Sequence, residues 1–209
     1  MKLDQLSLRT FMRELSSGSA TPGGGSVAAL CGAMGASLSA MVARLTLGRE
    51  EFRNAWEGMK QVQEEADELA ERFLLLAQQD TDAYQEVIAA LKLPRETEGE
   101  KSYREESLQK AMKKAASVPL ETLRLSERLI GIAQEAVEHG NPVTLTDAGA
   151  AVHLAHAAAR VAGYNVRINL ATLKDNSFVE GCKREVEEVL GRMEPLLSEA
   201  DGYVRAQLR

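Results

Sequence analysis

The sequence has few of the residues that build metal centres, disulfide frameworks and nucleic-acid surfaces. It contains two cysteines, Cys31 and Cys182, and three histidines. The cysteines are isolated, so they form neither a disulfide framework nor a ligand pair with metal spacing. His153 and His156 have no carboxylate at ligand spacing, and we therefore expect no metal site. Long basic runs are absent and the net charge is −6, which argues against nucleic acid as a partner.

From the sequence we expect neither a signal peptide nor a membrane span. The first residues, Met-Lys-Leu-Asp-Gln-Leu, lack the apolar core of a signal peptide. The longest weakly polar run, residues 23–43, consists of Gly, Ala and Ser with few large side chains, so we expect no membrane-spanning segment and no membrane partner. A cytoplasmic protein is the simplest interpretation of these features.

The composition favours a single helical domain. A chain of 209 residues suits one domain and can bury a sizeable core without disulfides. Ala, Leu, Glu and Arg dominate while aromatic residues make up only 4%, which favours helix over sheet. No run alternates as a strand would. We predict an all-α, single-domain bundle of about six to eight closely packed helices over residues 1–209.

Hydrophobic periodicity predicts where the helices lie. Pro119 falls inside one of them and is expected to kink or restart it, because proline removes a backbone hydrogen bond. The alanines and glycines of the second helix predict close packing or close approach of a ligand. The predicted helices cover about residues 3–15, 24–47, 54–91, 100–138, 146–173 and 178–207.

The segment from Thr21 to Ser26, with its three consecutive glycines, is the first candidate for ligand contact. Glycines let a ligand approach the backbone, and a helix N-terminus offers free N–H groups and partial positive charge. An anionic or carbonyl oxygen would fit there. The Lys-Ser/Thr ending of a P-loop is lacking and no strand precedes the segment. A tight turn that feeds a close-packed helix explains the same residues equally well.

Asp80 lies on an apolar helix face, because counting back along the helix gives Ala77, Phe73 and Ala70. A carboxylate in such a place must be paired, hydrogen-bonded or protonated. A site that needs a tuned acid or base uses a group of this kind, and Tyr84 lies one turn further on. A structural ion pair or a hydrogen bond between helices is the alternative.

Other polar residues have spacings that allow a functional or a structural role. Asp147 stands at a predicted helix start, where it either caps the helix or faces a cleft. Asn165 and Asn169 are one turn apart and share a face, so their amides either read a polar ring edge or bond to neighbouring helices. Arg49 and Arg104, taken singly, are typical of surface charges.

Taken in order, these segments resemble the cyclodeaminase/cyclohydrolase family, which includes the C-terminal domain of formiminotransferase-cyclodeaminase and stand-alone bacterial methenyltetrahydrofolate cyclohydrolases. Each motif alone is weak, but the ordered set is specific and spans nearly the whole chain. The matching positions are residues 22–29, 32–36, 46–49, Asp80, 83–84, 93–94, Thr97, Arg104, 116–120, 140–141, 146–148 and 165–170.

The resemblance implies an all-helical homodimer that acts on a tetrahydrofolate without a metal or redox cofactor. Two reactions are known in the family. We favour closure of 5-formimidoyltetrahydrofolate to 5,10-methenyltetrahydrofolate with loss of ammonia, and the alternative is hydrolysis of the methenyl compound to 10-formyltetrahydrofolate. A non-catalytic folate-binding module and a purely structural dimer are further alternatives, the latter leaving Asp80 unexplained.

Both reactions pass through a tetrahedral carbon between two folate nitrogens and require proton transfers. A carboxylate would also stabilise the cationic carbon, and we therefore assign the chemistry to Asp80 or Asp147. The hydroxyl of Tyr84 is not essential by resemblance, since some members carry Phe there. The expected substrate-binding residues are Pro22, Gly23, Gly24, Gly25 and Ser26 against the pterin or the one-carbon bridge, Asn165 and Asn169 on the pterin, Arg49 and Arg104 on the folate glutamate, and Tyr84.

Overall fold

A computed structural model describes residues 2–208 of the chain. It contains no strand within those residues, which confirms the all-α class, and its six α-helices agree with the predicted six to eight. Short 3-10 helices lie at Leu3–Gln5, Glu50–Ala55 and Pro142–Thr144. The α-helices are α1 (Leu8–Leu15), α2 (Gly24–Leu47), α3 (Trp56–Leu91), α4 (Glu98–His139), α5 (Leu145–Leu170) and α6 (Asn176–Gln207).

Helices α2 to α5 form an antiparallel bundle in which each packs against the next and α5 returns to α2. Helix α6 covers one side of α4 and α5. The largest fully buried side chains, among them Phe73, Leu123 and Ile130, fill the space between the four bundle helices. Because α2 and α5 are antiparallel, the N-terminus of α2 lies beside the C-terminal part of α5, where Gly24 faces Asn165.

Small residues allow α2 to occupy the middle of the bundle. A Cβ added to Gly32 would lie 2.5 Å from the ring of Phe73 on α3. A Cβ added to Gly35 would lie 3.1 Å from the carbonyl oxygen of Ala151 on α5. These two glycines therefore let α3 and α5 approach the α2 backbone closely, as the composition of α2 predicts.

Helix α2 is also the one helix among residues 2–208 that is long and apolar enough to cross a membrane, judged by length and composition, with a mean hydropathy of 1.7. The expectation that no run of that kind exists is therefore corrected. The central helix of a soluble protein passes the same test, and 61% of the apolar stretch is buried inside the bundle. The finding is weak support for a membrane span.

Helix α4 continues through Pro119, so of the two expected effects, a kink or a restart, the restart does not occur. Proline has no N–H, which leaves the carbonyl of Ala115 without its helical partner. The side-chain amide of Asn169 on α5 donates a hydrogen bond to that carbonyl at 2.7 Å. The bond that proline removes is replaced from a neighbouring helix, and the helix does not need to end.

The start of α5 also differs from the prediction. The cap of this helix is Thr144, and Asp147 lies within the first turn, where a carboxylate complements the helix dipole without capping. The α4 start has a capping box formed by Thr97 and Glu100, and Asp175 caps α6 through the N–H of Phe178.

We expect Gly32→Ala to lower the free energy of unfolding by about 1–3 kcal/mol, because the added Cβ would overlap the buried Phe73 ring. Gly131→Ala, at an exposed position of α4, is the matched control, because no atom lies within 4 Å of its added Cβ. Helix propensity alone should then raise the free energy of unfolding by about 0.5–1 kcal/mol. Urea unfolding measures both. Equal effects of the two substitutions would contradict the close α2–α3 contact.

Candidate functional site

The N-terminus of α2 opens into a pocket bordered by α3, α4 and α5, with a volume of about 420 Å³. Apolar side chains of Val87, Met112 and Ile168 line part of its wall. The pocket brings together residues that lie far apart in the sequence and that sequence analysis had grouped. These are Gly23, Gly24, Gly25, Asp80, Tyr84, Asn165 and Asn169.

The carboxyl group of Asp80, on α3, faces the first turn of α2. The hydroxyl of Ser26 donates to its Oδ2 at 2.9 Å, and the backbone of Ser26 supplies a second hydrogen bond. Burial raises the pKa of Asp80 above its ordinary value, although both bonds from Ser26 oppose the rise. No neighbouring charge contributes to this pKa, so Asp80 is not held by an ion pair. The other alternative, a hydrogen bond between helices, is present as the bond from Ser26 on α2. Such a carboxyl can hold and release a proton nearer to neutral pH.

Gly25 is the glycine of the segment that the site requires sterically. A Cβ at Gly25 would overlap the carboxyl group of Asp80. A Cβ at Gly24 would make an ordinary contact of 3.5 Å with Nδ2 of Asn165. A group does approach the backbone of the glycine segment closely, and within the protein that group is the carboxyl of Asp80.

Ser26 is predicted to bind substrate, but the structure shows a different contact. Its side chain is fully buried, and its hydroxyl lies 2.9 Å from Asp80 Oδ2 and 3.3 Å from the hydroxyl of Thr81. Ser26 therefore holds the carboxyl group of Asp80. Thr81 was missed in the sequence, although its position four residues after buried Ala77 places it on the same buried face.

Asn165 and Asn169 line the pocket from α5 with defined amide orientations. Nδ2 of Asn165 donates to the carbonyl of Val161 at 2.8 Å, and Nδ2 of Asn169 donates to the carbonyl of Ala115 at 2.7 Å. Because a carbonyl oxygen only accepts, each amide must direct its NH₂ group to these partners. Their Oδ1 atoms remain as acceptors on the α5 side of the site, and the carboxyl group of Asp80 adds acceptors from α3.

Asp147 and Arg49 lie at the opposite end of the bundle from the pocket in this chain. Asp147 is in the first turn of the 26-residue α5, on the order of 27 Å along the helix from Asn165. Arg49 follows the 24-residue α2, on the order of 36 Å from Gly24, and pairs with Glu51 at 3.4 Å. Within this chain, the antiparallel helices therefore separate both residues from the glycine segment.

Two other predicted residues do not line the pocket. Arg104 donates from its guanidinium to the carbonyl of Leu91 at 3.2 and 3.3 Å and so closes the end of α3. Pro22 is buried in the loop that leads into α2. Tyr84 does line the pocket, and 40% of its surface is exposed.

The histidines have separate acidic neighbours. Nε2 of His153 lies 3.3 Å from Asp201, and Nε2 of His156 lies 3.2 Å from Glu194. Across residues 2–208 no three His, Cys, Asp or Glu side chains converge as a metal site would require.

We expect Asp80→Asn to be at least as stable as the wild type at about pH 7. Since the pKa of folded Asp80 is raised, its contribution to the free energy of unfolding is full below the ordinary value of 3.8 and is lost as the pH rises through the raised value. Asparagine does not titrate, so the stability advantage should shrink as the pH falls toward about 4. Thermal melts over a pH series measure it, with Asp82→Asn, at an exposed carboxylate, as the control. A variant less stable than the wild type at neutral pH would contradict the buried-carboxyl description.

Known proteins match this chain in fold, and the matched residues include those of the pocket. A family model described as formiminotransferase-cyclodeaminase matches residues 7–188. The methenyltetrahydrofolate cyclohydrolase of Methylorubrum extorquens is 38% identical over 183 residues, which cover 88% of this chain and 88% of that protein. The crystal structure of formiminotetrahydrofolate cyclodeaminase from Thermotoga maritima matches with a TM-score of 0.89 and 29% identity, over 99% of this chain and 100% of that chain.

A longer relative matches over part of its length. The formimidoyltransferase-cyclodeaminase of Rattus norvegicus is 33% identical over 184 residues, so this chain corresponds to 34% of the rat protein. The family match includes the glycine segment, Asp80 and both asparagines of the pocket. The resemblance found in the sequence is confirmed, and the chain belongs to the formiminotransferase-cyclodeaminase family of enzymes of folate one-carbon metabolism.

Proposed function

We propose that the pocket at the α2 N-terminus binds the pteridine and one-carbon bridge of a tetrahydrofolate, and that Asp80 transfers protons there. One observation supports this assignment above the others. Asp80 is a partly buried carboxyl group with a raised pKa, held by Ser26 at the edge of a pocket rather than by a cation. Carboxyl groups in that condition serve as general acids and bases.

The proposed reaction is closure of 5-formimidoyltetrahydrofolate, the activity in the name of the Thermotoga relative. N10 of the folate attacks the formimidoyl carbon, forming the C–N10 bond and a tetrahedral carbon. Asp80 accepts the proton that N10 loses and returns it to the amino group. The C–N bond to that group then breaks, which releases ammonia and leaves the methenyl bridge. One carboxyl group can serve both transfers because its raised pKa lets it alternate between acid and base.

Hydrolysis of 5,10-methenyltetrahydrofolate is the second candidate, supported by the Methylorubrum relative of similar length. Water adds to the methenyl carbon while Asp80 accepts its proton. The C–N5 bond then breaks as that proton passes from Asp80 to N5, and the hydroxyl on the carbon releases its own proton to solvent, which gives the C=O of 10-formyltetrahydrofolate. Both reactions use the same tetrahedral carbon and the same proton carrier, and they differ in whether ammonia or N5 leaves.

The other residues of the pocket provide binding in this proposal. The N–H groups of the first turn of α2, at Gly24 and Gly25, have no partners within the helix and can donate to an oxygen or nitrogen of the ligand. Asn165 and Asn169 offer amide oxygens to ring N–H groups. Tyr84 and Ile168 supply surface for stacking or apolar contact with the ring. In this scheme the protein needs no metal or redox cofactor, and we propose that it works in the cytoplasm.

We also propose that the protein is a homodimer, supported by an apolar groove bordered by α1, α2 and α3. The groove has a volume of about 710 Å³, and no charged side chain lines it. Leu8, Met12 and Met34 along it are 72%, 52% and 52% exposed. Apolar patches of this kind mark protein interfaces. Light scattering should give the dimer mass for the wild type and a monomer for Met34→Glu. A wild-type monomer at micromolar concentration would contradict the proposal.

The reaction is tested by following the absorbance of the methenyl bridge with each substrate supplied separately. Appearance of absorbance from 5-formimidoyltetrahydrofolate supports cyclodeamination, and accelerated loss from 5,10-methenyltetrahydrofolate supports hydrolysis. No change with either compound would contradict an enzymatic role in both reactions.

We expect Asp80→Asn to lower kcat by about 100-fold or more, because general acid–base transfer contributes roughly 10²–10⁴-fold. Asp82→Asn is the matched control, since it removes an exposed carboxylate two residues away on the same helix and should keep near-full activity. Asp147→Asn, at the far end of α5, should lower kcat less than Asp80→Asn does. An Asp80→Asn enzyme with near-full turnover would refute the assignment.

A further inference from the structure

Pro119 lies in the interior of α4, buried, and its missing N–H has a consequence inside the pocket. The carbonyl that it leaves without a helical partner belongs to Ala115, which lines the pocket wall. Asn169, from α5, donates its Nδ2 to that carbonyl at 2.7 Å. The helix interruption and the pocket amide are therefore directly linked.

The link determines which end of the Asn169 amide faces a ligand. With its NH₂ group directed to the Ala115 carbonyl, Asn169 keeps Oδ1 as an acceptor, and the side chain lines the pocket. If residue 119 carried an N–H, that group would compete with Asn169 for the Ala115 carbonyl. The Asn169 amide would then lose the acceptor that determines whether its NH₂ group or its Oδ1 faces the pocket. A substitution two helical turns along α4 from Met112 would thus alter the polarity of the site.

Asn165 does not provide the same constraint. Its Nδ2 donates to the carbonyl of Val161 on its own helix, and that carbonyl already accepts the backbone N–H of residue 165 in a regular α-helix. Its amide is therefore held by a shared acceptor, whereas Asn169 has the Ala115 carbonyl to itself. Asn169 is the more firmly oriented acceptor of the pair.

We propose that Pro119 is a positioning residue that fixes Asn169 as a hydrogen-bond acceptor for an N–H edge of the ligand. Given the proposed function, on which this inference rests, that edge is the 2-amino and N3–H side of the pteridine. The nearby acceptor at Asn165 Oδ1 favours the same donor character. Pro119 acts through Asn169 and does not touch the reacting atoms.

The second proline inside a helix, Pro195 of α6, supplies a matched control. It too removes an N–H from a helix interior, but both Pro195 and Gly191, whose carbonyl it frees, are exposed to solvent. Its freed carbonyl can be hydrated, and α6 contributes no residue to the pocket. Pro195→Ala should therefore reproduce the local helix effect without the effect on Asn169.

The test is a double-mutant cycle with steady-state kinetics on the active tetrahydrofolate substrate. We expect Pro119→Ala to raise KM about three- to tenfold, the loss of roughly one hydrogen bond, with kcat within about twofold of the wild type. Pro195→Ala should leave KM unchanged. In an Asn169→Ala background, Pro119→Ala should add less than about twofold, because the residue through which it acts is gone. An unchanged KM in Pro119→Ala, or full additivity of the two substitutions, would overturn the inference.

A second measurement needs no substrate and separates this inference from the proposed function. In the wild type, the side-chain NH₂ signals of Asn169 should show slow hydrogen exchange by NMR, and in Pro119→Ala that protection should fall while circular dichroism remains helical. Unchanged protection would overturn the positioning role, whatever the enzyme does. Reduced protection in a protein that neither converts nor binds tetrahydrofolates would uphold the Pro119–Asn169 link and refute the folate assignment.

Discussion

The contact between the carboxyl group of Asp80 and the first turn of α2 is the constraint on which the site depends. Space for it exists because residue 25 is glycine, and Ser26 supplies two hydrogen bonds to the carboxyl group. Burial opposes ionisation while these bonds favour it, and the net result is a raised pKa. A carboxyl group held in this balance is costly to the fold when ionised, and such costs are characteristic of functional sites.

The bundle topology decides which residues join that carboxyl group. Because α2 and α5 are antiparallel, the start of α2 meets the end of α5, and Asn165 and Asn169 reach the pocket while Asp147 does not. Small residues in α2 permit the close helix contacts that bring α3 and α5 within reach of one ligand. Of the alternatives posed by the sequence of this helix, close packing is realised at Gly32 and Gly35, and ligand approach at its first turn is what we propose.

Much of the fold follows from local physics that a single sequence exposes. Period and composition predict α2 with its observed bounds, and the apolar face of α3 predicts that Asp80 points inward. The hydrogen bond that compensates for Pro119 could not be predicted, because its donor is an amide on another helix. The contact of Ser26 could not be predicted for the same reason, because its partner Asp80 is distant in sequence. The distance of Asp147 and Arg49 from the pocket could not be predicted either, because it depends on the directions of the helices.

The central claim is that one pocket, at the start of α2, receives the folate ring beside Asp80. A crystal structure of the protein with tetrahydrofolate lacking a one-carbon unit tests it most directly. The account predicts the pteridine between Gly24–Gly25 and the two asparagines, with N5 and N10 next to the carboxyl group of Asp80. A pteridine bound at the other end of the bundle, near Asp147 and Arg49, would contradict it.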